Sequence, residues 1–267
     1  MQEEIDKFVQ WCDENGLELN NQKCKVMTFS HKRNPIMANY NIKGTTIQRV
    51  DQIPDLGVTM DPKMSFTLHR ELVKKKANNN LGFVKRECYK ALNLDNAKLL
   101  YGSLVRSHLE YANIIWSPYT STHKKQIEST QKQAVIFLHK DNINRRENDY
   151  VLTPYRERCE ELGMASLNRR RVNSAVLWMH QLISGRIDSP YLRSQLDLNT
   201  GERALRNPEF IRMKYSRNEY GTNSPFNNAC RAFNRAVTIV DPTLPFNAFK
   251  CEIMKLPDEV FGDLIEV

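Results

Sequence analysis

The stretch GLELNNQKCKVMTF, Gly16 to Phe29, divides a helix from a strand and so sets the fold class. Ahead of it, Ile5, Phe8, Val9 and Cys12 recur at i, i+3, i+4 and i+7, the apolar stripe of one helix. Gly16 suits the end of that helix, because glycine takes a positive φ there at no steric cost. Val26, Thr28 and Phe29 then open a strand from Lys25. One helix and one strand bury each other poorly, so this start calls for more sheet. YNIKGTTIQRV (Tyr40–Val50) reads as a hairpin turning at Lys43–Gly44, and IPDLGVTMD (Ile53–Asp61) as a further strand stopped by Asp61–Pro62.

From Phe66 onward the period becomes helical. Leu68, Leu72 and Val73 lead into Lys74–Lys75–Lys76, then Leu81, Phe83 and Val84. Asp95 is placed to cap a helix over Asn96–Trp116, with Leu100, Leu104, Tyr111 and Ile115 on one face, before Ser117–Pro118 interrupts it. A third helix covers Lys124–His139, with Ile127, Ala134, Val135 and Leu138 inward. A charged loop follows over Lys140–Asp149, then two helices joined near Gly163, the second carrying Val172, Ala175, Val176, Met179 and Ile183. Beyond Asp188 the prolines at 190, 208, 225, 242 and 245 point to irregular chain, with one helix near Asn227–Val237 and a short last helix after Pro245. The expected fold is α+β: a helix and hairpin part over 1–65, helical regions over 66–140 and 141–187, and an irregular Pro/Asn/Arg-rich tail with short helices over 188–267.

The 267 residues suffice for one large domain or two modest ones. The formal net charge is +8, and residues 1–180 carry 28 of the 39 basic and 20 of the 31 acidic side chains, so the whole excess lies there. That sign favours a polyanionic partner, although many soluble domains share it. The six cysteines, at 12, 24, 88, 159, 230 and 251, form no CxxC and fit scattered reduced thiols rather than a zinc site or a disulfide framework. No signal-peptide pattern and no long apolar run appear, so an intracellular protein without a membrane span is expected.

No dinucleotide fingerprint, phosphate-binding GxxxxGK[ST] loop, HExxH or GxSxG motif is present. The adjacent acid pairs, Glu3–Glu4, Asp13–Glu14, Glu160–Glu161 and Asp258–Glu259, all sit in helix-like surface patterns. None falls in a turn between strands, where carboxylates could hold two metal ions about 4 Å apart.

Several blocks nevertheless share an order. Trp11, Leu17, Leu19, Asn20, Lys23, Cys24, Met27 and Phe29 are followed by LGVTMDPKMSFTLHR (Leu56–Arg70) and by Ala77, Leu81, Gly82, Phe83 and Arg86. LYGSLVRSHLEYANIIWSPY (Leu100–Tyr119), IESTQKQAVIFL (Ile127–Leu138), LGMASLNRRRVNSAVLWMHQLISGRIDSPYL (Leu162–Leu192) and RNPEF (206–210) come next. In order and spacing these resemble the end of the palm, the thumb and the downstream region of reverse transcriptases of non-long-terminal-repeat retrotransposons, the jockey-like elements above all.

The resemblance implies RNA-directed DNA synthesis for the full-length enzyme, with Mg2+ and deoxynucleoside triphosphates. It places the fingers, most of the palm and the paired catalytic aspartates before Met1. The expected activity of the chain alone is therefore none, with no cofactor bound by it. Lys23 matches a palm lysine that assists the pyrophosphate leaving group, or is an exposed lysine at a strand entry. Gly57 matches a turn that positions the primer end, or serves a plain hairpin; Asp55 departs from the family's aromatic just before it. Lys74, Lys75, Lys76, Lys85, Arg86 and Arg106 resemble the thumb cations that track an RNA or DNA template–primer duplex, or form a solvated face. Five such contacts to a DNA duplex would give a slope of log K against log salt of roughly −4 to −5. Arg169–Arg170–Arg171 is a comparable run, with at least one arginine turned inward, and Trp116 and Trp178 are core residues or stacking platforms. The competing expectation is a helical structural or protein-interaction domain, or a relic without a role.

Overall fold

The computed structural model of the chain describes residues 1–91, 93–142, 153–199 and 209–265. It comprises a mixed α+β N-terminal region with small sheets, followed by a long, mainly helical region. The two compact units are Met1–Leu72 and Val73–Val267.

In the first unit, helix α1 (Gln2–Glu14) ends at Asn15, and Gly16 takes φ +67°. Three two-stranded ladders follow. β1 (Lys25–Val26) pairs in parallel with β4 (Gln48–Arg49), while β2 (Asn41–Ile42) and β3 (Thr45–Thr46) form an antiparallel hairpin. Lys43 and Gly44, at φ +48° and +79°, supply the two left-handed positions of its tight turn. The Gln2 side chain locks α1 to this hairpin, donating to Asn41 O (2.9 Å) and accepting from Asn41 N (3.0 Å).

Residues 53–60, read above as one strand, are a second hairpin: β5 (Ile53–Asp55) pairs with β6 (Val58–Met60). The turn is Leu56–Gly57, both left-handed, at φ +44° and +82°. After it, Asp61 organises the entry to helix α2 (Thr67–Ala91) by accepting from the backbone of Lys63, Ser65 and Phe66. Burial raises the Asp61 pKa, but these hydrogen bonds outweigh it and hold the carboxyl below its ordinary value.

The boundary between the units falls inside α2. In the second unit, α3 (Leu94–Leu100) is capped by Asn93, whose side chain accepts from Asn96 N, and not by Asp95 as expected. The chain then widens into a π-helical turn (Tyr101–Arg106) before α4 (Ser107–Glu110), and Ala112 at φ +50° separates α4 from α5 (Asn113–Trp116). The buried stripe is Ala97, Tyr101, Val105 and Leu109, not Leu100, Leu104, Tyr111 and Ile115. Residues four apart drift around a regular α-helix by about 40° per step. The wider π turn rotates less per residue and keeps this four-residue stripe in line.

Helix α6 (Ser121–Asn142) buries Ile127, Ala134, Val135 and Leu138 as expected and runs three residues into the expected loop. The rest of that loop, 143–149, and residues 206–208 of the RNPEF block lie outside the described residues. Helices α7 (Tyr155–Glu161) and α8 (Leu167–Ile183) flank Gly163, at φ +62°. After α9 (Pro190–Ser194) and α10 (Glu219–Thr222), the helices α11 (Pro225–Ala236) and α12 (Phe246–Lys255) close onto α8. Val176, Met179, Leu182, Phe233, Phe249 and Ile253 are fully buried there, each worth roughly 1.5–3 kcal/mol of gross apolar burial. Among the described residues no helix is long and apolar enough to cross a membrane.

This core holds a titratable group. His180 stacks on Phe249 at 4.2 Å, its Nε2 donates to Leu244 O, and its Nδ1 is buried without a partner. Burial lowers its pKa, and burial followed by the Arg70 charge lowers that of His69. Both histidines bind protons more readily in the unfolded chain, so stability is full above the ordinary histidine pKa and falls as pH drops below it. The urea midpoint should therefore decrease from about pH 7 to about pH 5, with a smaller decrease in His180→Gln. A midpoint unchanged over that interval would contradict this account.

Candidate nucleic-acid interface

Helix geometry sorts the cations of α2. At about 100° of rotation per residue, Ala77, Leu81, Val84 and Cys88 fall on one line, and all four are buried. Lys74 and Lys85 lie beside that line and are half-buried; burial alone lowers the Lys85 pKa. Lys75 and Arg86 share the opposite, exposed face. Lys76 is also exposed, on the remaining flank, where its charge adds to burial in lowering the His108 pKa. Three of the five, Lys75, Lys76 and Arg86, are thus presented to solvent, and among the described residues none of the three is held in an ion pair.

Two glycines leave room for arginines to lie along the surface. A Cβ on Gly82 would stand 3.6 Å from an Arg86 Nη, and one on Gly102 would stand 3.3 Å from an Arg106 Nη. Arg106 differs from the α2 cations because it lies 3.8 Å from Glu110. Glu110 in turn accepts two bonds from Arg170, through Nε and through Nη2 at 3.1 Å. The helix itself is anchored by carboxamides: Asn80 Nδ2 donates to Leu104 O (2.7 Å) inside the π turn, and Asn78 Oδ1 accepts from Thr130 (2.8 Å).

Lys23 and Gly57 belong to the first unit. Lys23 is exposed, its backbone N bonded to Asn20. Gly57 is the second turn residue of the β5–β6 hairpin and is exposed as well.

The arginine run turns inward more completely than the sequence suggested. Arg169 is buried; it donates to Ile253 O (3.0 Å), Leu256 O (2.8 Å) and Pro257 O (3.2 Å), meets Asp258 at 3.2 Å and lies over the Phe261 ring. Arg170 is spent on Glu110, and Arg171 is buried above the Trp116 ring. Trp116 is itself buried, and Trp178 packs edge-on against Phe226. The run is architecture, not an exposed phosphate-contacting patch.

Sequence reasoning passed over Glu128. Its carboxylate is buried and accepts from the Tyr155 hydroxyl, from Leu167 N (3.0 Å) and from Asn168 N (3.2 Å), so α6 caps the start of α8. Of the acidic pairs, Glu160 and Glu259 both meet Arg156, at 3.2 and 3.5 Å, but among the described residues no three His, Cys, Asp or Glu side chains are grouped so as to hold a metal ion. Comparison with family models, with curated proteins and with solved structures gave no match to this chain.

Proposed function

We propose that the chain is a nucleic-acid-binding module of the reverse-transcriptase kind. In this reading helix α2 grips the phosphate backbone of a template–primer duplex, and the N-terminal helix and hairpins stand for the end of a polymerase palm. The observation that carries it is the set Lys75, Lys76 and Arg86, exposed on one 25-residue helix whose opposite stripe is buried. Lysine and arginine contacts of this type go to phosphate and carry little base information. Lys74 and Lys85 border the set, Arg106 shares its acid with Arg170, and neither Lys23 nor Gly57 is assigned a catalytic part. Mg2+ and deoxynucleoside triphosphates belong, in this reading, to the full-length enzymes of that family. Nucleotidyl transfer is not assigned to this chain, and its place is inside the cell, with its nucleic-acid partner.

Binding of a fluorescent template–primer duplex across a salt series tests the reading. With three phosphates engaged, log K should fall against log salt with a slope of roughly −3, below the value for five contacts. Salt-indifferent binding, or no binding at low salt, would refute it.

A second reading, a protein-interaction domain, is favoured by α1. Phe8 and Trp11 stack with centroids 6.1 Å apart, and both remain about half exposed, as does Leu17. A stable protein complex unaffected by salt, without duplex binding, would favour it.

A further inference from the structure

Between α9 and α11 lies an aromatic and basic pocket that the duplex-binding reading does not use. Its cavity measures about 400 Å³, at the low end of the roughly 300–1,000 Å³ typical of small-molecule clefts. Tyr191 and Leu192 of α9 line one side, residues 211–216 another, and Gly221 with the first two turns of α11 the rest. The floor is apolar: Ile211 and Cys230 are buried, and Met213 and Phe226 are half-buried against the α8–α11 core.

Local bonds fix this frame. The Asn234 carboxamide of α11 accepts from Ile211 N and donates to Ile211 O, both at 2.8 Å, and Arg212 N donates to Asp197 O at 2.8 Å. A Cβ on Gly221 would stand 1.9 Å from Ser216 Oγ, so glycine is what lets the loop between them close. On this frame burial alternates, with Ile211 buried, Arg212 exposed, Met213 half-buried and Lys214 exposed, which leaves both cations in contact with solvent. Arg212 holds one neutral partner, Asn199 Oδ1 at 3.1 Å, and the Lys214 ammonium has no hydrogen-bond or ion-pair partner among the described residues.

The chemistry of the lining selects its ligand. Among the described residues its only charged members are Arg212 and Lys214, while Asp197, Glu209 and Glu219 lie outside it, so the pocket attracts an anion. Tyr191 and Tyr215 are 74% and 91% exposed, and among the described residues neither side chain has a ring or hydrogen-bond partner. Open π faces beside positive charge match a nucleotide, whose base stacks on a ring while its phosphate meets a cation. A duplex offers few free base faces, because its bases stack on one another; a single strand offers them along its length. We propose that this pocket binds a single-stranded nucleic-acid segment, a base against Tyr191 or Tyr215 and the adjoining phosphates on Arg212 and Lys214. The site goes beyond the duplex-binding reading, since none of its residues lies on α2.

Fluorescence anisotropy of the full chain with a labelled oligothymidylate about eight nucleotides long, which cannot form a duplex, tests this. Tyr191→Ala/Tyr215→Ala should weaken binding about 10- to 100-fold, as for the loss of base stacking, with the unfolding midpoint unchanged because both side chains are mostly exposed. Tyr191→Phe/Tyr215→Phe keeps both rings and should bind like wild type. Arg212→Gln/Lys214→Gln should flatten the slope of log K against log salt by roughly 1.4, about 0.7 for each phosphate of a single strand. Binding of a blunt duplex should stay within about twofold of wild type in all three variants. The loss caused by the two alanines should persist in a Lys75→Glu/Lys76→Glu/Arg86→Glu background, which separates this site from α2. Should the blunt duplex not bind at all, the duplex-binding reading falls, and this one is still decided by the tyrosine variants. No binding of the oligothymidylate at low salt, undiminished affinity in the double-alanine variant, or an equal loss in the double-phenylalanine variant would each overturn the proposal. So would a parallel loss of blunt-duplex binding, or displacement by an oligoglutamate of matched charge as effective as that by unlabelled strand. Should the double-alanine variant not fold, the salt slope of Arg212→Gln/Lys214→Gln decides, and a wild-type slope overturns the proposal.

Discussion

Glu128→Ala is expected to destabilise the chain by about 3–5 kcal/mol, the usual consequence of removing one partner from a buried charged network. The carboxylate accepts from three donors: the Tyr155 hydroxyl and the first two backbone N–H groups of α8. Helix N-terminal N–H groups lack intrahelical partners, so their loss cannot be repaired within α8. Ser166 caps Arg169 N and leaves the earlier positions to Glu128. Glu128→Gln keeps one acceptor oxygen and should cost less, about 1.5–3 kcal/mol, the worth of a charge-assisted bond. Urea unfolding of the three proteins side by side measures both steps; a Glu128→Ala loss below about 1 kcal/mol would contradict the capping role.

Arg169→Ala is expected to cost a comparable 3–5 kcal/mol. Its guanidinium spans three carbonyls at and just beyond the end of α12, those of Ile253, Leu256 and Pro257, and reaches Asp258. A planar fork makes all of these bonds at once, whereas an ammonium cannot, so Arg169→Lys should recover less than half of the loss. Burial lowers the Arg169 pKa, against the raising effect of Asp258, in keeping with a cation held inside by its acceptors. The same unfolding series checks it, and an Arg169→Lys protein as stable as wild type would contradict the fork geometry.

Much of the fold was legible because its local signals agree with one another. Ile5, Phe8, Val9 and Cys12 mark α1, Lys43–Gly44 marks a hairpin and Gly163 separates α7 from α8, each through a residue whose backbone preference matches its place. What escaped were positions where tertiary context overrides preference. Leucine does not announce a left-handed turn, so the pattern over 53–61 read as one strand even though Gly57 was also read as a turn or plain-hairpin glycine; Ala112 at φ +50° likewise broke an apparent helix. The buried stripe Ala97, Tyr101, Val105 and Leu109 escaped too, since its four-residue spacing runs through the π turn at Tyr101–Arg106, which a 3.6-residue period cannot foresee.

The candidate interface was half legible. The sequence shows a lysine run but not its angular spread, and only the buried line through Ala77, Leu81, Val84 and Cys88 separates exposed Lys75, Lys76 and Arg86 from half-buried Lys74 and Lys85. For Arg169 a signal was present: it stands three and seven residues before Val172 and Val176, in phase with the stripe those residues share. Glu128 gave none, because its partners lie on α7 and at the start of α8.

The central claim, that α2 meets nucleic-acid phosphate through its exposed cations, is tested most directly by the salt dependence of duplex binding in wild type and in Lys75→Glu/Lys76→Glu/Arg86→Glu. Three phosphate contacts removed should flatten the slope of log K against log salt by roughly 3, while the unfolding midpoint stays close to that of wild type. A variant that binds the duplex with the wild-type slope and affinity would contradict the account.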